Sequence, residues 1–285
     1  MKTGLIMEGG AMRGLFTAGI LDVFMYHGIQ FDGAIGVSAG AAFGCNIKSE
    51  QPGRVLRYNT SFAHEWRYCS VRSWLLTGDL YGGHYDYHVL PESLDVWDTE
   101  TFQKNPMEFW CVDTDMKTAK PLYHKCTDGG LNDLLWIQGS ASMPVASKPV
   151  KCDGYLLSDG GTADSVPYRF FTSQGYDRNV VILTQPVSYR KEQYSDGMLR
   201  FLKAALHGYP ALYEKLKNRW YEYNDEIADI VREEQAGKVY VIRPEEALNI
   251  GSVCHDTREM RRVYNLGVEQ GEKHLQEVRE WLQEK

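Results

Sequence analysis

The chain has 285 residues, 43% of them hydrophobic and 24% charged, with a formal net charge of −7. This composition is ordinary for a globular protein, and the length suffices for one large α/β domain or two small ones. The negative balance, with no basic tail or stripe, argues against nucleic acid as the main partner. No apolar run approaches the ~18 residues of a membrane span, and the N-terminus does not have the pattern of a secretory signal.

The first predicted unit is a strand, a helix and a second strand over residues 3–37. Thr3 to Met7 has the composition of a strand, and apolar residues recur at helical spacing from Leu15 to Tyr26. Gly28 is suited to end that helix. Such a β-α-β unit places the carboxyl ends of both strands at one edge of a sheet. We therefore expect the glycine-rich loop after the first strand to lie beside the end of the second.

The remaining chain alternates strands and helices, apart from residues 50–97. That stretch is rich in aromatic residues without a clear period; aromatic packing under irregular loops is the commoner explanation, and a lid or acyl-binding region is the alternative. Further strands are predicted at 107–112, 121–124, 155–157, 179–185 and 238–242, and helices at 130–142, 166–171, 197–234 with a break at Pro210, and 258–282. The alternation predicts an α/β fold with a mostly parallel sheet, in a single domain over 1–285.

The six cysteines are scattered and form no C-x-x-C pair or metal-ligand spacing. They are Cys45, Cys69, Cys111, Cys126, Cys152 and Cys254. We expect free thiols in a reducing compartment and a cytoplasmic location.

The sequence Gly36-Val37-Ser38-Ala39-Gly40 is typical of a nucleophile elbow. A short apolar run precedes it and small helix-compatible residues follow it, which predicts a strand, a sharp turn and a helix with Ser38 at the apex. The crowded backbone of such a turn requires glycine two places on either side of the nucleophile. The five letters alone are weak evidence, so the remaining groups of a site must be found elsewhere in the chain.

The loop from Gly9 to Met12 is suited to supply backbone N–H groups to an oxyanion. Alternatives are a plain strand-to-helix turn or the phosphate cradle of a dinucleotide site. For the latter, Gly9, Ala11 and Gly14 occupy the G-x-G-x-x-G positions without the central glycine, and Asp32 lies roughly where a ribose acid is expected. The second strand carries no acid at its carboxyl end, and no Walker lysine is present, which disfavours a nucleotide.

Two residues compete as the proton acceptor for Ser38. Serine triads of this type usually run serine, acid, histidine along the chain, and among the later histidines only His255 lies near a plausible loop. Asp159 directly follows a strand, as Ser38 does, and Gly160 and Gly161 permit a close approach of the backbone. The residues alone leave both candidates open.

Three motifs together resemble the patatin-like phospholipases in order and approximate spacing. They are Gly9-Gly10-Ala11-Met12-Arg13-Gly14, Gly36-Val37-Ser38-Ala39-Gly40 and Asp159-Gly160-Gly161, and Ala141-Ser142-Met143-Pro144 is similar to the loop before the aspartate strand of that family. The resemblance covers residues 3–186. It implies a three-layer α/β/α sandwich, on which a helical extension over 195–285 is packed.

The resemblance also implies the roles of the site residues. Ser38 is then the nucleophile, Asp159 the proton acceptor, and Gly9, Gly10, Ala11 and Met12 the oxyanion hole, with no histidine base, metal or cofactor. Ala11 stands where the family commonly has glycine, and its methyl group would narrow the loop if the residue must adopt a positive φ.

The expected function is that of a serine esterase or lipid acyl hydrolase, phospholipase A-like, working through an acyl-enzyme. Burial of Asp159 would raise its proton affinity enough for it to act as a base. The expected partners are a lipid or other acyl ester and, transiently, a membrane surface. The alternatives are a Ser-His-Asp esterase that uses His255, and a catalytically weak lipid- or nucleotide-binding protein that uses the glycine loop.

Overall fold

A single twisted sheet forms the centre of the computed structural model, which describes residues 1–283. Its eight strands are β1 (Lys2–Met7), β2 (Gly33–Val37), β3 (Glu108–Asp115), β4 (Pro121–Cys126), β5 (Val150–Cys152), β6 (Tyr155–Asp159), β7 (Tyr176–Ile182) and β8 (Val239–Ile242). Their spatial order is β5-β6-β3-β2-β1-β7-β8, with β4 also paired to β3. The neighbouring strands β3, β2, β1, β7 and β8 are parallel to one another. The strands β4, β5 and β6 pair antiparallel with their neighbours.

Eleven α-helices are formed by the described residues. They are α1 (Gly14–Tyr26), α2 (Ala39–Ala42), α3 (Cys45–Lys48), α4 (Arg54–Ser61), α5 (Val71–Thr77), α6 (Thr99–Lys104), α7 (Leu131–Ser140), α8 (Tyr168–Ser173), α9 (Asp196–Ala205), α10 (Pro210–Gln235) and α11 (Thr257–Gln283). A π-helical segment covers Tyr85–Leu94. None of the helices within residues 1–283 combines the length and apolar character needed to cross a membrane.

Alternation along the strands produces two apolar layers. Ile6 and Ile35 belong to a core cluster that includes residues of α8 and α10, whereas Leu5 and Ala34 belong to the cluster on the other face, with α1, α4 and α11. Successive side chains of a strand point to opposite faces, so a sheet that is apolar on both must be covered on both. The α/β/α sandwich and the mostly parallel sheet of the predicted fold are confirmed.

Most predicted elements are present with shifted ends. β1 and β2 are parallel, with Gly4 opposite Gly33, and Gly28 follows α1 with a φ of 66°. Pro210 begins α10, which splits the predicted helical stretch in two. The three-residue strand β5 was not predicted, because its strand character comes from pairing with β6 rather than from a local pattern.

The C-terminal helix α11 packs on α1 at very short range. A Cβ added at Gly267 would lie 2.0 Å from the carbonyl oxygen of Phe16, and one added at Gly19 would lie 2.2 Å from that of Tyr264. Only glycine allows two helix backbones to approach this closely. The region after residue 195 therefore contacts the first helix of the chain, and the number of domains stays a prediction.

Candidate active site

Ser38 occupies a strained turn between β2 and α2. Its φ is 55° and its ψ is −121°, a conformation that non-glycine residues rarely adopt. A Cβ at Gly36 would lie 2.2 Å from the Gly40 carbonyl oxygen, and a Cβ at Gly40 would lie 2.3 Å from that of Met7. The close approach of these backbones is the physical reason for glycine on both sides of Ser38.

Two strands that run towards each other bring Ser38 and Asp159 together. One edge of β3 is paired with β4. The other edge is shared by β2 and β6, where Val37 at the end of β2 pairs with Val112, and Asp159 at the end of β6 pairs with Asp113. Because β2 runs parallel and β6 antiparallel to β3, the carboxyl ends of β2 and β6 meet beside two consecutive residues of β3. Ser38 Oγ donates a hydrogen bond to Asp159 Oδ2 at 2.7 Å.

Further hydrogen bonds hold this pair in place. Asp159 Oδ1 accepts from the backbone N–H of Gly161 at 2.8 Å. The Ser38 N–H donates to Ser140 Oγ at 2.9 Å, and that hydroxyl donates to the Val112 carbonyl oxygen at 2.5 Å. Ser38 is 9% exposed and Asp159 is 6% exposed. The pair is thus buried and oriented by its neighbours.

Burial raises the pKa of Asp159 above its ordinary value. The Arg219 cation, the Ser38 hydroxyl, the Gly161 N–H and the Lys191 cation act in the opposite direction, because each stabilises the charged carboxylate. Arg219 also fixes the turn after Asp159, since its Nε donates to the Gly161 carbonyl oxygen at 2.5 Å. Desolvation and the Arg219 cation lower the pKa of Lys191 to about 8.

A second buried carboxyl group, Asp113, lies across the β3–β6 pair from Asp159. Burial raises its pKa well above the ordinary value, and the neighbouring Asp159 raises it further. Its Oδ1 has no hydrogen-bond partner among the described residues. Two adjacent buried carboxyl groups disfavour double ionisation, so Asp113 is the one expected to remain protonated.

The glycine loop lies directly against Ser38. A Cβ on Gly9 would lie 2.9 Å from the Ser38 Cβ, and no hydrogen bond among residues 1–283 uses the backbone N–H of any residue from 9 to 12. These donors are therefore free beside the serine. Ala11 has a φ of 48°, so the methyl group in this loop does sit on a residue with positive φ.

Glu8 anchors the start of this loop from the neighbouring elements. Its Oε2 accepts from the Thr184 N–H at 2.6 Å, and its Oε1 accepts from the Tyr223 hydroxyl at 2.7 Å. The anchor joins the end of β1 to the segment after β7 and to α10, which limits the movement of the free N–H groups.

Ser38 lies between two cavities, each of about 980 Å³ counted together with its open mouth. The first is mainly apolar and is lined by Phe43, Tyr58, Leu90 and Trp97, among others. The aromatic stretch 50–97 therefore contributes both to core packing and to the wall of a cavity.

The second cavity carries charged groups. Arg13, Lys191 and Arg219 line it together with Ser38 and Asp159. The Nζ of Lys191 lies 4.6 Å from the ring centre of Tyr223 and has no acidic partner among the described ion pairs, and the Nε of Arg13 is buried without a hydrogen bond. Two carboxyl groups, Glu8 and Asp159, line the same cavity, so its three cations exceed its acids by one. Such a positive balance favours an anionic ligand group.

The structure does not bring the alternative residues to Ser38. Nδ1 of His255 lies 2.6 Å from the Ala63 carbonyl oxygen, and within the described chain His255 forms no hydrogen bond with Ser38 or Asp159. Asp32 precedes β2 and accepts from the Thr3 N–H at 2.7 Å. It therefore lies at the amino ends of β1 and β2, whereas the glycine loop follows the carboxyl end of β1. Of the motif glycines, Gly14 begins α1, and Gly160 and Gly161 form the turn after Asp159.

Several residues around Ser38 were not found from the sequence. Lys191 and Arg219 stand in polar helical or loop stretches without any motif, and Asp113 and Ser140 lie inside regular elements. Only Glu8 had a recognisable feature, an acid at a strand end directly before two glycines.

One cysteine, Cys45, lines the apolar cavity beside Ser38, whereas the other five and one group of possible metal donors do not line it. All six cysteines are unpaired, so the prediction of free thiols is confirmed. His124, Cys126 and Asp133 have donor atoms within 4.8 Å of one another. Asp133 Oδ1 lies 2.8 Å from His124 Nε2, and its Oδ2 accepts from the N–H groups of residues 127, 128 and 129. These hydrogen bonds show that Asp133 stabilises the turn before α7.

Comparison with known families gives two matches within the chain. The profile of the patatin-like phospholipases matches residues 5–172, and that of a domain of unknown function (DUF6363) matches residues 209–283. The first match includes Ser38 and Asp159, and the second includes Arg219.

Curated relatives match at low identity. The uncharacterized protein YjjU of Escherichia coli (strain K12) is 29% identical over 215 residues, 70% of this chain and 57% of that protein. The patatin-like phospholipase domain-containing protein ZK370.4 of Caenorhabditis elegans is 25% identical over 58% of this chain and 12% of its own length. Lysophospholipase NTE1 of Eremothecium gossypii is 27% identical over 60% of this chain and 11% of its own length. The matched region is thus just over half of the first relative and a small part of the other two.

Among solved structures, VipD from Legionella pneumophila aligns with 97% of this chain and 67% of its own, at 11% identity and a TM-score of 0.47.

Proposed function

The chain belongs to the patatin-like phospholipase family, and from that premise we propose that it is a serine hydrolase that cleaves carboxylic esters of lipids. The observation that supports this most directly is the 2.7 Å hydrogen bond from Ser38 Oγ to Asp159 Oδ2. It joins a hydroxyl on a strained turn to a buried carboxylate, beside backbone N–H groups that have no acceptor among residues 1–283.

In the first step, Ser38 Oγ attacks the carbonyl carbon of the ester. The hydroxyl proton passes to Asp159 Oδ2, which already accepts it in a hydrogen bond. A carboxylate with an ordinary pKa is a poor base for this purpose, and the burial that raises the pKa of Asp159 makes the transfer easier. Gly161 and Arg219 keep the carboxylate in position.

The tetrahedral intermediate carries a negative oxygen, for which the free N–H groups of the Gly9–Met12 loop are the nearest donors. The intermediate collapses when the bond to the leaving oxygen breaks, and protonated Asp159 returns the proton to that oxygen. The products of this half-reaction are the alcohol and an acyl group esterified to Ser38.

Water then completes the cycle. Asp159 accepts a proton from the water molecule as it attacks the acyl-enzyme, and the same N–H groups bind the second oxyanion. Collapse releases the fatty acid and returns the proton to Ser38. The apolar cavity is suited to the acyl chain and the cavity with Arg13, Lys191 and Arg219 to the alcohol.

A fluorophosphonate probe tests the nucleophile. We expect it to label the wild-type protein and not Ser38→Ala, because only an activated serine reacts with this class of probe. Ser165→Ala is a matched control, since Ser165 is also buried but bonds to the Gly161 carbonyl oxygen. Equal labelling of wild type and Ser38→Ala would end the assignment.

The choice of base is tested separately with a short soluble ester. His255→Ala should retain hydrolysis of p-nitrophenyl butyrate, since His255 forms its hydrogen bond elsewhere. Complete loss of activity in His255→Ala would favour the triad that uses histidine. No labelling and no turnover in the wild-type protein would favour a binding protein instead.

A further inference from the structure

The helix α5 exposes an unusual number of apolar side chains. Val71, Trp74, Leu75 and Leu76 are 65%, 42%, 72% and 65% exposed, and we call these four side chains the α5 surface. Single exposed apolar residues are normal on a folded protein, but several adjacent ones mark a site of interaction. The helix is properly ended on both sides, because Ser70 Oγ accepts from the Ser73 N–H and Gly78 follows with a φ of 84°. The exposure is therefore a property of a well-formed helix.

The α5 surface lies at the rim of the apolar cavity. Trp74 Nε1 donates to the Val145 carbonyl oxygen at 3.3 Å, and the Lys148 N–H donates to Asp79 Oδ1 at 2.7 Å. Asp79, two residues after the helix, and Ser147, in the loop that it contacts, both line the cavity that contains Ser38. The α5 surface is therefore adjacent to residues that line the cavity containing Ser38.

Two exposed cations stand at the ends of α5. The Arg72 guanidinium lies 4.5 Å from the ring centre of Trp66, and the Lys148 side chain passes close to Gly78, where a Cβ would lie 2.6 Å from Lys148 Cε. Neither cation forms an ion pair with an acid among the described residues. Two acids lie nearby, Glu65, which pairs with Arg67, and Asp79, which accepts from the Lys148 N–H, so three cations stand against two carboxylates. This slight positive balance occurs on a chain whose net charge is −7.

We propose that the α5 surface docks the protein on an anionic lipid surface, with Trp74 and the leucines in the interfacial layer and Arg72 and Lys148 on the headgroups. Tryptophan and leucine next to basic residues form the usual combination in segments that lie in a membrane interface. This inference rests on the proposed function in one respect, because docking would bring a lipid ester to the cavity. The exposed apolar side chains and the neighbouring cations are observed independently of that function.

A second copy of the chain is the other conceivable occupant, and charge disfavours it. A two-fold contact places the same surface on both sides. The cations of one copy would then face those of the other at the edge of the contact, and such juxtaposition of like charges is unfavourable. An anionic lipid layer compensates these charges and covers the apolar side chains at the same time.

Vesicle sedimentation of the Ser38→Ala protein tests the proposal without hydrolysing the lipid. The probe is phosphatidylcholine vesicles with roughly one-third phosphatidylglycerol. Leu75→Asp, in that background, should lower the partition coefficient roughly tenfold or more, because a charge replaces an inserted apolar group. Leu131→Asp is the matched control and should bind as the parent does. Leu131 is 59% exposed at the start of α7. It follows the end of β4 that pairs with Phe109, near the amino end of β3, whereas Ser38 lies beside the carboxyl end of β2.

The cations are tested by Arg72→Gln against Arg261→Gln, an arginine that is exposed on α11. Arg72→Gln should weaken binding several-fold on the anionic vesicles and little on pure phosphatidylcholine, whereas Arg261→Gln should change neither. Both arginines are exposed, so neither change threatens folding.

Three results would overturn the proposal. They are equal binding by Leu75→Asp and Leu131→Asp, no binding of the Ser38→Ala protein to vesicles, and a concentration-dependent dimer that Leu75→Asp dissociates in the absence of lipid. The last would assign the surface to self-association. Because the binding assay uses a protein without the nucleophile, failure of serine labelling leaves its result intact, and failure of docking leaves the hydrolysis of soluble esters intact.

Discussion

Ser38, Asp159 and the Gly9–Met12 loop lie within residues 5–172, whereas Lys191 and Arg219, the cations that act on Asp159, come from the chain after it. The first region contains the groups that we expect to touch the reacting atoms, and each follows a strand. The second region supplies charge and support from helices and loops. The first region therefore places the two side chains in contact, and the second adds cations that stabilise the charged carboxylate of Asp159 against the larger effect of burial.

The largest expected effect concerns the carboxylate of the first region. Asp159→Asn removes the proposed proton acceptor and should lower kcat for a soluble ester by roughly a thousandfold. Asp113→Asn is the matched control. Because burial keeps the pKa of Asp113 high, asparagine replaces a carboxyl group that is already neutral, and kcat should stay within about threefold of wild type.

Equal losses in the two variants would show that the site depends on both carboxyl groups, and the distinction between Asp159 and Asp113 would then fail. Stopped-flow or steady-state kinetics on p-nitrophenyl butyrate provides the measurement, with circular dichroism to confirm that both variants fold.

An intermediate effect is expected at the contact between the two regions. Gly267→Ala places a methyl group where the Phe16 carbonyl oxygen lies 2.0 Å away, so α11 must shift from α1. We expect the free energy of unfolding to fall by about 2 kcal/mol, as for an overpacked core position. Urea denaturation measures it.

Gly208→Ala is the control for this change, because a Cβ at Gly208 meets no atom within 4 Å. It should alter the free energy of unfolding by less than about 0.5 kcal/mol. If Gly267→Ala is as mild as Gly208→Ala, the second region is less tightly attached to the first than the structure indicates.

The smallest effect is expected from the charge of Lys191. This cation lowers the pKa of Asp159, so Lys191→Met should raise that pKa and move the acidic limb of the kcat/KM profile to higher pH by a few tenths of a unit. Activity rises through this limb as Asp159 loses its proton. The pKa of Lys191 is about 8, so its influence is present along the acidic limb and fades above pH 8.

Lys203→Met removes an exposed charge from α9 and should leave the acidic limb in place. A shift towards lower pH in Lys191→Met would contradict the assigned sign, and no shift would mean that solvent screens this cation from Asp159.

Local chain chemistry explains how much of the site was predictable. The strand, turn and helix around Ser38 depend on residues within five positions of it, and glycine is required at 36 because a Cβ there would meet the backbone of Gly40 in the same turn. Glycine at 40 is different, because it makes room for the Met7 carbonyl oxygen at the end of β1. The pairing of β1 with β2 follows from the short β-α-β connection. These features are encoded at short range, which is why they can be inferred before any long-range contact is known.

The direction of β6 depends on long-range pairing and could not be predicted from local sequence. No local pattern states that this strand runs antiparallel to β3 and ends where β2 ends, yet that register is what puts Asp159 at 2.7 Å from Ser38. From the residues alone Asp159 and His255 remained open as bases, and only the resemblance of three motifs favoured the aspartate. Long-range strand pairing depends on the whole sheet, so a window of sequence does not determine it.

Local residue patterns were enough to predict the elbow at Ser38, the loop of small residues beside it, the alternation of strands and helices, and the family that these motifs resemble. The packing of distant segments was needed to show that Asp159 accepts a hydrogen bond from Ser38 and that Asp113 lies next to Asp159. It was also needed to show that Lys191, from the loop before α9, and Arg219, from α10, act on the pKa of Asp159. Backbone conformation is set by neighbours in sequence, whereas the pKa of a buried group is set by neighbours in space, which the packing of distant segments alone brings together.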